Sequence, residues 1–524
     1  MSEHNGVSPR TAEGALSRRT FTVGVVLGAA GLGIEACRPS AGDTGAGSAA
    51  ALRVGESAGP TSIDPTKGGG ESKAFFEPAY DPLIYMAADG TLQPRLATSW
   101  RYVGDRNEEF QITLRKGVVF SDGTPLDAAA VKANIEYAGK AGTQVSPFLA
   151  AISSVHADDD LTVRLKLSEP HPLLPVLFSQ EYFAGDMISP KAIAKPARLA
   201  GTTFGAGKYV LDPRATIAGD HYTYAKNTRY WNPRGIAYDK VVIKVLPNEN
   251  TALAALKTGQ VDAVHGSFAI AGGAKSAGMR IAASPSIVMG IQLNDRDGKL
   301  SAPLKDVRVR RALNFAVDRP KLAKAVFGSY GVPTEQPVAP GQDGYNATAV
   351  YRYDPAEARR LLAAAGYPRG FRLPVVISTD NPYGKNLLQA MAAQFAQIGV
   401  TVTISTKVQS QFFPSLERYP ASIMGWGVAP IYLIGRNLWL RDAVGMNPFH
   451  SSDATLEGLD RRAAAADETT RAGLDRQIVR RVVDLAWFVP VVLSPQFLFT
   501  RPSVEAGARS GQHLPPVTAW RPAA

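Results

Sequence analysis

The sequence predicts an α/β fold built from more than one lobe, and three observations favour this prediction. Residues 52–524 form too long a chain for one ordinary domain. Apolar side chains alternate with polar ones over residues 110–114 and 161–167, as they do in half-buried strands. The helical pattern of residues 386–397 leads directly into the strand pattern of residues 400–404, which is typical of a βαβ unit.

The N-terminal residues 1–37 are typical of an export signal. Arg18 and Arg19 form a twin-arginine pattern, and a weakly polar stretch rich in Gly and Ala follows at residues 22–34. That stretch is too short to cross a bilayer core of about 30 Å, which needs roughly 20 apolar residues. We therefore expect a segment that directs export rather than a membrane span.

Cys37 is the only cysteine of the chain, and it lies directly behind that apolar stretch. This position resembles a lipoprotein cleavage site, at which the thiol takes a diacylglycerol, although Glu35 departs from the usual pattern. Ordinary cleavage with an unmodified thiol is the alternative. Residues 38–51 are mainly Gly, Ala, Ser and Thr with almost nothing to bury, so we expect a flexible tether between the anchor and the folded body.

The formal net charge of +11 does not by itself indicate a nucleic-acid partner. Lys and Arg are scattered, and the densest run, residues 305–311, has the apolar spacing of a solvated helix face. We therefore predict no nucleic-acid binding. The charge instead favours an anionic membrane surface or an anionic ligand.

Five short motifs follow one another in a distinctive order near the start of the folded body. They are an Asp-x-Leu before an Asp-Gly turn, then P-x-L-A-x-S-W, F-x-x-x-L-R-x-G-V-x-F and D-G-x-P-L before a helix, at residues 81–83, 89–90, 94–100, 110–120 and 122–126. This order resembles the extracytoplasmic solute-binding proteins of family 5, the peptide- and nickel-binding components of ABC importers. Further stretches follow in the family's order, at residues 204–210, 259–263, 307–319 and 353–367. The resemblance therefore covers residues 52–507.

The resemblance implies a fold and a set of boundaries. We expect an α/β two-lobed periplasmic-binding-protein clamshell of type II, with an extra subdomain inserted in lobe I. The expected crossings between the lobes are residues 289–294 and 488–500, and one long helix is expected from about 454 to 483. The predicted boundaries are 52–85, 188–288 and 488–524 for lobe I, 86–187 for the inserted subdomain and 289–487 for lobe II.

The resemblance also implies a function without covalent chemistry and without a cofactor. We expect the chain to capture an oligopeptide or peptide-like small solute and to deliver it to the permease and ATPase subunits of an ABC importer. We expect the protein to be a monomer. We also expect it to be exported, and to be either anchored on the outer side of the cell membrane through the lipid at Cys37 or periplasmic. A sensor receptor with the same fold is an alternative.

A second alternative is a secreted serine hydrolase that uses Ser57. Residues 55–59 match G-x-S-x-G, in which a strained turn between a strand and a helix exposes the nucleophile. Here Pro60 and Pro65 follow, which is turn chemistry and not the start of the required helix. We therefore predict that the chain is not an enzyme and has no catalytic residues, and that this loop lines a cleft.

The resemblance places a ligand site in the cleft between the lobes. The loop after the first strand is expected to meet the ligand backbone, and the second lobe to supply aromatic rings, polar groups, a guanidinium and an imidazole. The predicted ligand-binding residues are Ser57, Ala58, Gly59, Ser378, Asn381, Trp426, Tyr432, Arg436 and His450. No metal site is predicted, because the seven histidines never approach ligand spacing.

The charged groups that hold a dipeptide in the peptide-binding branch of the family are missing here. In that branch an Asp closely follows a Gly-Trp pair and binds the ligand's ammonium group, whereas no acid follows Trp426 until Asp442. Dipeptide receptors carry an Arg for the ligand's carboxylate, but residues 378–383 contain none. We therefore expect a larger, partly apolar ligand whose anionic group pairs with Arg436 or Arg441, and weak binding of free dipeptides.

Overall fold

The computed structural model describes residues 51–523, except 88, 143–144, 343, 347, 349, 444–445 and 508–513. The predicted export signal and the lipid at Cys37 lie outside the described residues, as does the predicted tether apart from residue 51. The strands are β1 (Leu52–Glu56), β2 (Ile84–Met86), β3 (Leu92–Pro94), β4 (Ala97–Tyr102), β5 (Glu109–Leu114), β6 (Ile152–Ala157), β7 (Thr162–Leu167), β8 (Tyr209–Leu211), β9 (His221–Lys226), β10 (Lys240–Val245), β11 (Ala263–Gly266), β12 (Arg280–Leu293), β13 (Val332–Pro333), β14 (Arg372–Ser378), β15 (Thr401–Lys407), β16 (Ala421–Gly427), β17 (Phe488–Thr500), β18 (Val504–Glu505) and β19 (Arg521–Pro522).

Helices alternate with these strands, and most of them are short. They are α1 (Lys73–Phe76), α2 (Ala128–Lys140), α3 (Ser146–Leu149), α4 (Leu174–Leu177), α5 (Pro190–Ile193), α6 (Glu249–Thr258), α7 (Phe268–Ser276), α8 (Val307–Phe315), α9 (Arg319–Phe327), α10 (Pro355–Ala364), α11 (Pro382–Ala396), α12 (Gln409–Ser415), α13 (Ile431–Ile434), α14 (Ala454–Ala465) and α15 (Glu468–Leu485).

One mixed sheet runs through most of the described chain. Its strand order is β15-β14-β16-β12-β17-β11-β1-β10-β9-β8, and β13 pairs with β17 off this path. We call the elements around β1 and β8–β11 the first lobe and those around β14–β16 the second lobe. In each lobe three neighbouring parallel strands lie beside antiparallel strands: β1 is parallel to β10 and β11, and β14 is parallel to β15 and β16.

Two long antiparallel strands, β12 and β17, join the lobes. They pair from Arg280 opposite Thr500 to Gln292 opposite Phe488, with register shifts at Pro285/Ile287 and at Met289/Gly290. Such irregularities bend strands locally, so the ladder changes direction where the chain passes between the lobes. The predicted second crossing coincides with β17, and the first falls at the end of β12. The lobe boundaries given above remain a prediction.

A separate four-stranded antiparallel sheet, ordered β4-β5-β7-β6, forms the body of the inserted subdomain, and α2 packs against it. Asp127 caps α2, because its Oδ1 accepts a hydrogen bond of 2.8 Å from the Ala130 N–H. Asn134 on this helix donates to the Ile188 carbonyl and accepts from the Ile188 N–H, each at 2.8 Å. This buried amide therefore ties α2 to the backbone at Ile188.

The prediction of one helix over 454–483 is wrong. The structure has two helices, α14 and α15, separated by Ala466 with φ −81° and ψ 154°. Asp467 caps the second helix, since its Oδ1 accepts a hydrogen bond of 2.9 Å from the Thr470 N–H. Residues 463–466 are four alanines, the strongest helix formers, so the sequence alone did not reveal the break.

Gly290 offers a test of the ladder between the lobes. A Cβ at this position would lie 2.7 Å from Pro490 Cα and still closer to the Val489 carbonyl oxygen. Because backbone atoms cannot move aside cheaply, we expect Gly290→Ala to lower the free energy of unfolding by about 1–3 kcal/mol. Denaturant unfolding of the variant measures this.

The matched control is Gly272→Ala on α7, where an added Cβ would meet no atom within 4 Å. Ala is the better helix former, so this variant should be as stable as the original chain or more stable. Equal stability of the two variants would contradict the close packing at Gly290.

Candidate functional site

A cavity of about 890 Å³ lies where the ladder passes between the lobes, and we call it the central cavity. The first lobe contributes the ends of β1 and β11 and the helix α1, and the second lobe contributes β16 and the start of α11. The ladder itself contributes Ile287 and Met289 from β12 and Ser494 from β17. A solute in this cavity would therefore touch both lobes and the strands that join them.

Aromatic rings form much of the wall. Phe148 and Tyr182 of the inserted subdomain meet edge to face with ring centroids 5.7 Å apart. The other aromatic side chains that line the cavity are Phe183, Phe268, Phe327, Tyr383 and Phe497. Such walls with a few polar groups suit a partly apolar solute, as the sequence predicted, although these are not the rings that the sequence singled out.

A buried charged cluster stands in the wall of the first lobe. Lys73 Nζ lies 3.2 Å from Glu181 Oε2 and 3.4 Å from Glu77 Oε1. Burial raises the pKa of Glu77 to about 7, and the neighbouring ammonium of Lys73 offsets only part of this effect. Burial alone would lower the pKa of Lys73, but the charges of Glu181 and Glu77 outweigh it and raise that pKa.

Glu56 and His265 form a second charged pair in the cavity, on adjacent parallel strands. His265 Nδ1 lies 2.6 Å from Glu56 Oε1. Burial would lower the pKa of His265, yet the charge and hydrogen bond of Glu56 outweigh burial and raise it. The imidazole is therefore held in its charged form to a higher pH than usual.

This pair lies beside Ser57, but the arrangement does not support the hydrolase alternative. Strand β1 ends at Glu56 and no helix follows at once, since the first helical turn begins at Gly70. A nucleophile elbow requires strand, turn and helix in immediate succession. Ser57 and His265 are both described by the structure, and no hydrogen bond joins their side chains, so the imidazole does not activate the hydroxyl.

Three of the predicted ligand-binding residues line the central cavity: Ser57, Ala58 and Asn381. Asn381 also caps α11, because its Oδ1 accepts a hydrogen bond of 2.8 Å from the Gly384 N–H. Gly59 lies outside the lining, near Val245 and Tyr222. Ser378 is buried at the end of β14, where its hydroxyl donates to Gln409 Oε1 at 2.7 Å.

Trp426 lies in the packed core of the second lobe and not in the lining of the cavity. Its indole Nε1 donates a hydrogen bond of 3.0 Å to the Pro337 carbonyl, and its ring centroid is 5.2 Å from that of Phe488. Successive residues of a strand face opposite sides, and it is the preceding residue, Gly425, that lines the cavity. The indole is therefore a core group on the far face of β16.

Tyr432 and Arg436 also lie away from the central cavity. The Arg436 guanidinium stacks 3.6 Å from the centre of the Tyr432 ring and pairs with Asp460 at 3.1 Å. His450 is exposed, with Nδ1 3.1 Å from the Arg441 carbonyl. Among the described residues that line the cavity there is no arginine, so neither predicted guanidinium is placed to meet a ligand anion there.

Tyr432 instead belongs to a second contact between the lobes. Its hydroxyl donates to the Pro170 carbonyl at 3.3 Å, and its ring meets that of His171 edge to face at 4.9 Å. Nearby, Asn107 Nδ2 donates to the carbonyls of Ala464 and Ala466, each at 3.0 Å. We call this set the subdomain contact, because it joins the inserted subdomain to α14 and its surroundings in the second lobe.

None of the helices in the described ranges is both long enough and apolar enough to cross a membrane. Within the same part of the chain, no three His, Cys, Asp or Glu side chains come together in an arrangement that would hold a metal ion.

Sequence comparison finds a family and a set of relatives. The family described as bacterial extracellular solute-binding proteins, family 5 Middle, matches residues 91–433. The glutathione-binding protein GsiB of Escherichia coli O1:K1 is 30% identical over 342 residues, which are 64% of this chain and 65% of the relative. The match thus spans slightly less than two thirds of each protein. GsiB is named as a binding protein, which agrees with the prediction of a non-catalytic chain.

Solved structures show the same fold at low sequence identity. HbpA2 from Haemophilus parasuis has a TM-score of 0.79 and 21% identity, covering 90% of this chain and 100% of its own. The periplasmic binding protein DppA from Helicobacter pylori, in complex with the peptide STSA, has a TM-score of 0.74 and 22% identity, covering 91% of this chain and 98% of its own. The predicted two-lobed α/β clamshell is confirmed.

Proposed function

The chain belongs to family 5 of the bacterial extracellular solute-binding proteins, and we propose that it captures a peptide-like solute in the central cavity. The observation that carries this proposal is the position of the cavity on the ladder, with lining residues from both lobes. A solute held there contacts both lobes at once. Binding energy can then hold the lobes together, as in hinge closure around a ligand.

The chemistry of the cavity supports a peptide-like solute. Its volume of about 890 Å³ lies within the range of about 300–1,000 Å³ that is usual for small-molecule sites. Aromatic walls suit apolar side chains, while the charged cluster offers partners for polar groups of a ligand backbone. GsiB is named for binding glutathione and the DppA structure holds a peptide, so both relatives favour the same class.

Delivery of the solute to an ABC permease and its ATPase follows from this membership as part of the proposal.

For location, we propose export and attachment of a lipid at Cys37, which would keep the protein at the outer face of the membrane. Cell fractionation tests the anchor: Cys37→Ser should move the protein from the membrane fraction to the soluble fraction. A Cys37→Ser variant that remained with the membranes would contradict lipid attachment at this residue.

Filling the central cavity tests the proposed site directly. Ala58 is exposed to the cavity, and a tryptophan there would occupy the space that a solute needs. A panel of oligopeptides, glutathione and metal chelates is first screened by thermal shift, since a ligand that binds only the folded state stabilises it. For the best ligand, we expect Ala58→Trp to weaken binding by about 100-fold or more while shifting the melting temperature by no more than about 2 °C.

The control is Ala254→Trp, an exposed position on α6 outside the cavity, which should bind as the original chain does. Undiminished binding by Ala58→Trp would place the site elsewhere. A panel without a single stabilising member would argue against capture of a peptide-like solute.

A further inference from the structure

The last residues of the chain form part of the wall of the central cavity. Leu514, Pro515, Pro516 and Val517 all belong to its lining, and we call these four residues the tail wall. The stretch that matches the family ends at residue 433, so the tail wall lies outside it. This part of the cavity is therefore supplied by a segment that the family match does not cover.

Contacts with the first lobe hold the tail wall in place. Trp520 is buried, and its Nε1 donates a hydrogen bond of 3.0 Å to the Pro515 carbonyl. Lys208 Nζ, directly before β8, donates a hydrogen bond of 2.7 Å to the Thr518 carbonyl. Just beyond, β19 pairs with β18 in an antiparallel ribbon. The tail wall is therefore anchored to the body of the protein and keeps its place in the cavity.

The tail wall borders the charged groups of the first lobe. Burial raises the pKa of Glu77, and a hydrogen bond from the Val517 backbone offsets part of this effect. Trp520, which bonds to the tail wall, has its ring centroid 6.0 Å from that of His265. Both Glu77 and His265 line the central cavity. A solute that reaches this end of the cavity therefore lies against the tail wall.

The chemistry of the tail wall suits an apolar group. Proline has no backbone N–H and its ring fixes φ near about −65°, so Pro515 and Pro516 form a stiff surface without backbone donors. The Pro515 carbonyl already accepts a hydrogen bond from Trp520. Leu514 and Val517 add aliphatic side chains that pack into the hydrophobic core of the first lobe. Recognition at this surface therefore depends on the size and shape of the solute and not on hydrogen bonds.

We propose that the tail wall determines specificity, because it limits the size of the apolar group that a solute can place at the first-lobe end of the central cavity. The inference rests on the proposed function, since it concerns the same cavity. Because Val517 is packed into the core, the wall does not retreat to admit a larger group. A solute that exceeds the limit by a methylene group or two therefore loses affinity, and a smaller side chain in the wall restores it.

Val517→Ala tests the size limit, and Val504→Ala is its matched control. Both valines belong to the same hydrophobic core of the first lobe, and they are 5% and 3% exposed. Of these two described residues, only Val517 lines the cavity. We expect the two variants to lower the melting temperature by similar amounts, since each removes the same two methyl groups from the core. A change of selectivity in Val517→Ala alone then separates specificity from stability.

The probes are tripeptides in which one residue is Ala, Val, Leu or Phe at each position in turn and the other two are Ala. Calorimetry with the full mature protein measures their affinities. At one position we expect the original chain to bind side chains up to a limiting size, and Val517→Ala to bind the next larger one about tenfold more tightly than the original chain does. The other two positions should keep their profiles. Pro515→Ala, at the least buried position of the tail wall, should shift the limit in the same direction.

A size limit that Val517→Ala and Pro515→Ala both leave unchanged would overturn this inference alone. The same shift of the limit in Val504→Ala, or an original chain that binds every tripeptide equally well, would also overturn it. If no tripeptide binds the original chain, the proposed capture of peptide-like solutes fails, and the inference fails with it.

Discussion

The pairing of β12 with β17 is the constraint on which the rest of the structure depends. Each strand of this ladder belongs to the sheet of both lobes, since β12 also pairs with β16 in the second lobe and β17 with β11 in the first. Most of their side chains are buried, and Gly290 brings the two backbones close together. The lobes therefore cannot separate without breaking this ladder. Any relative motion that keeps the ladder intact must bend it at its register shifts.

The central cavity follows from the same geometry. Because the ladder joins the lobes along one line, the cleft beside it has walls from both lobes. The subdomain contact joins the lobes at a second place. That contact has no shared sheet, and it combines the hydrogen bonds and ring contacts around Asn107 and Tyr432 with the burial of Leu433 and Ala464 in the core of the subdomain. Hydrogen bonds of this kind contribute about 0.5–1.5 kcal/mol each, and the buried apolar side chains add to them. The molecule thus has one junction made of a continuous ladder and a second made of side-chain contacts.

Much of the fold could be predicted from the sequence because it depends on local signals. Alternating strands, the Asp127 cap and the order of the motifs are visible within short windows. The site was harder to predict from the sequence. Lys73 and Glu181 are more than a hundred residues apart in the chain and come together only through the fold. A signal existed in the spacing of Lys73 and Glu77, one helical turn apart beside two phenylalanines that are buried, but it does not reveal a cavity. The sequence could not show which face of β16 meets the cleft. Because neighbouring residues of a strand face opposite sides, Gly425 lines the cavity while Trp426 faces the core.

The central claim is that a solute in the central cavity draws together two lobes that are joined by the β12–β17 ladder. The most direct measurement is the distance between two spin labels by pulsed electron paramagnetic resonance. The labels are attached to cysteines introduced as Ile217→Cys in the first lobe and Val408→Cys in the second, both exposed positions. The chain also carries Cys37→Ser, so that no other thiol reacts. The account predicts a distance distribution that shifts and narrows when a bound peptide saturates the protein, and that stays unchanged in Ala58→Trp. A distribution that is the same with and without saturating ligand would contradict it.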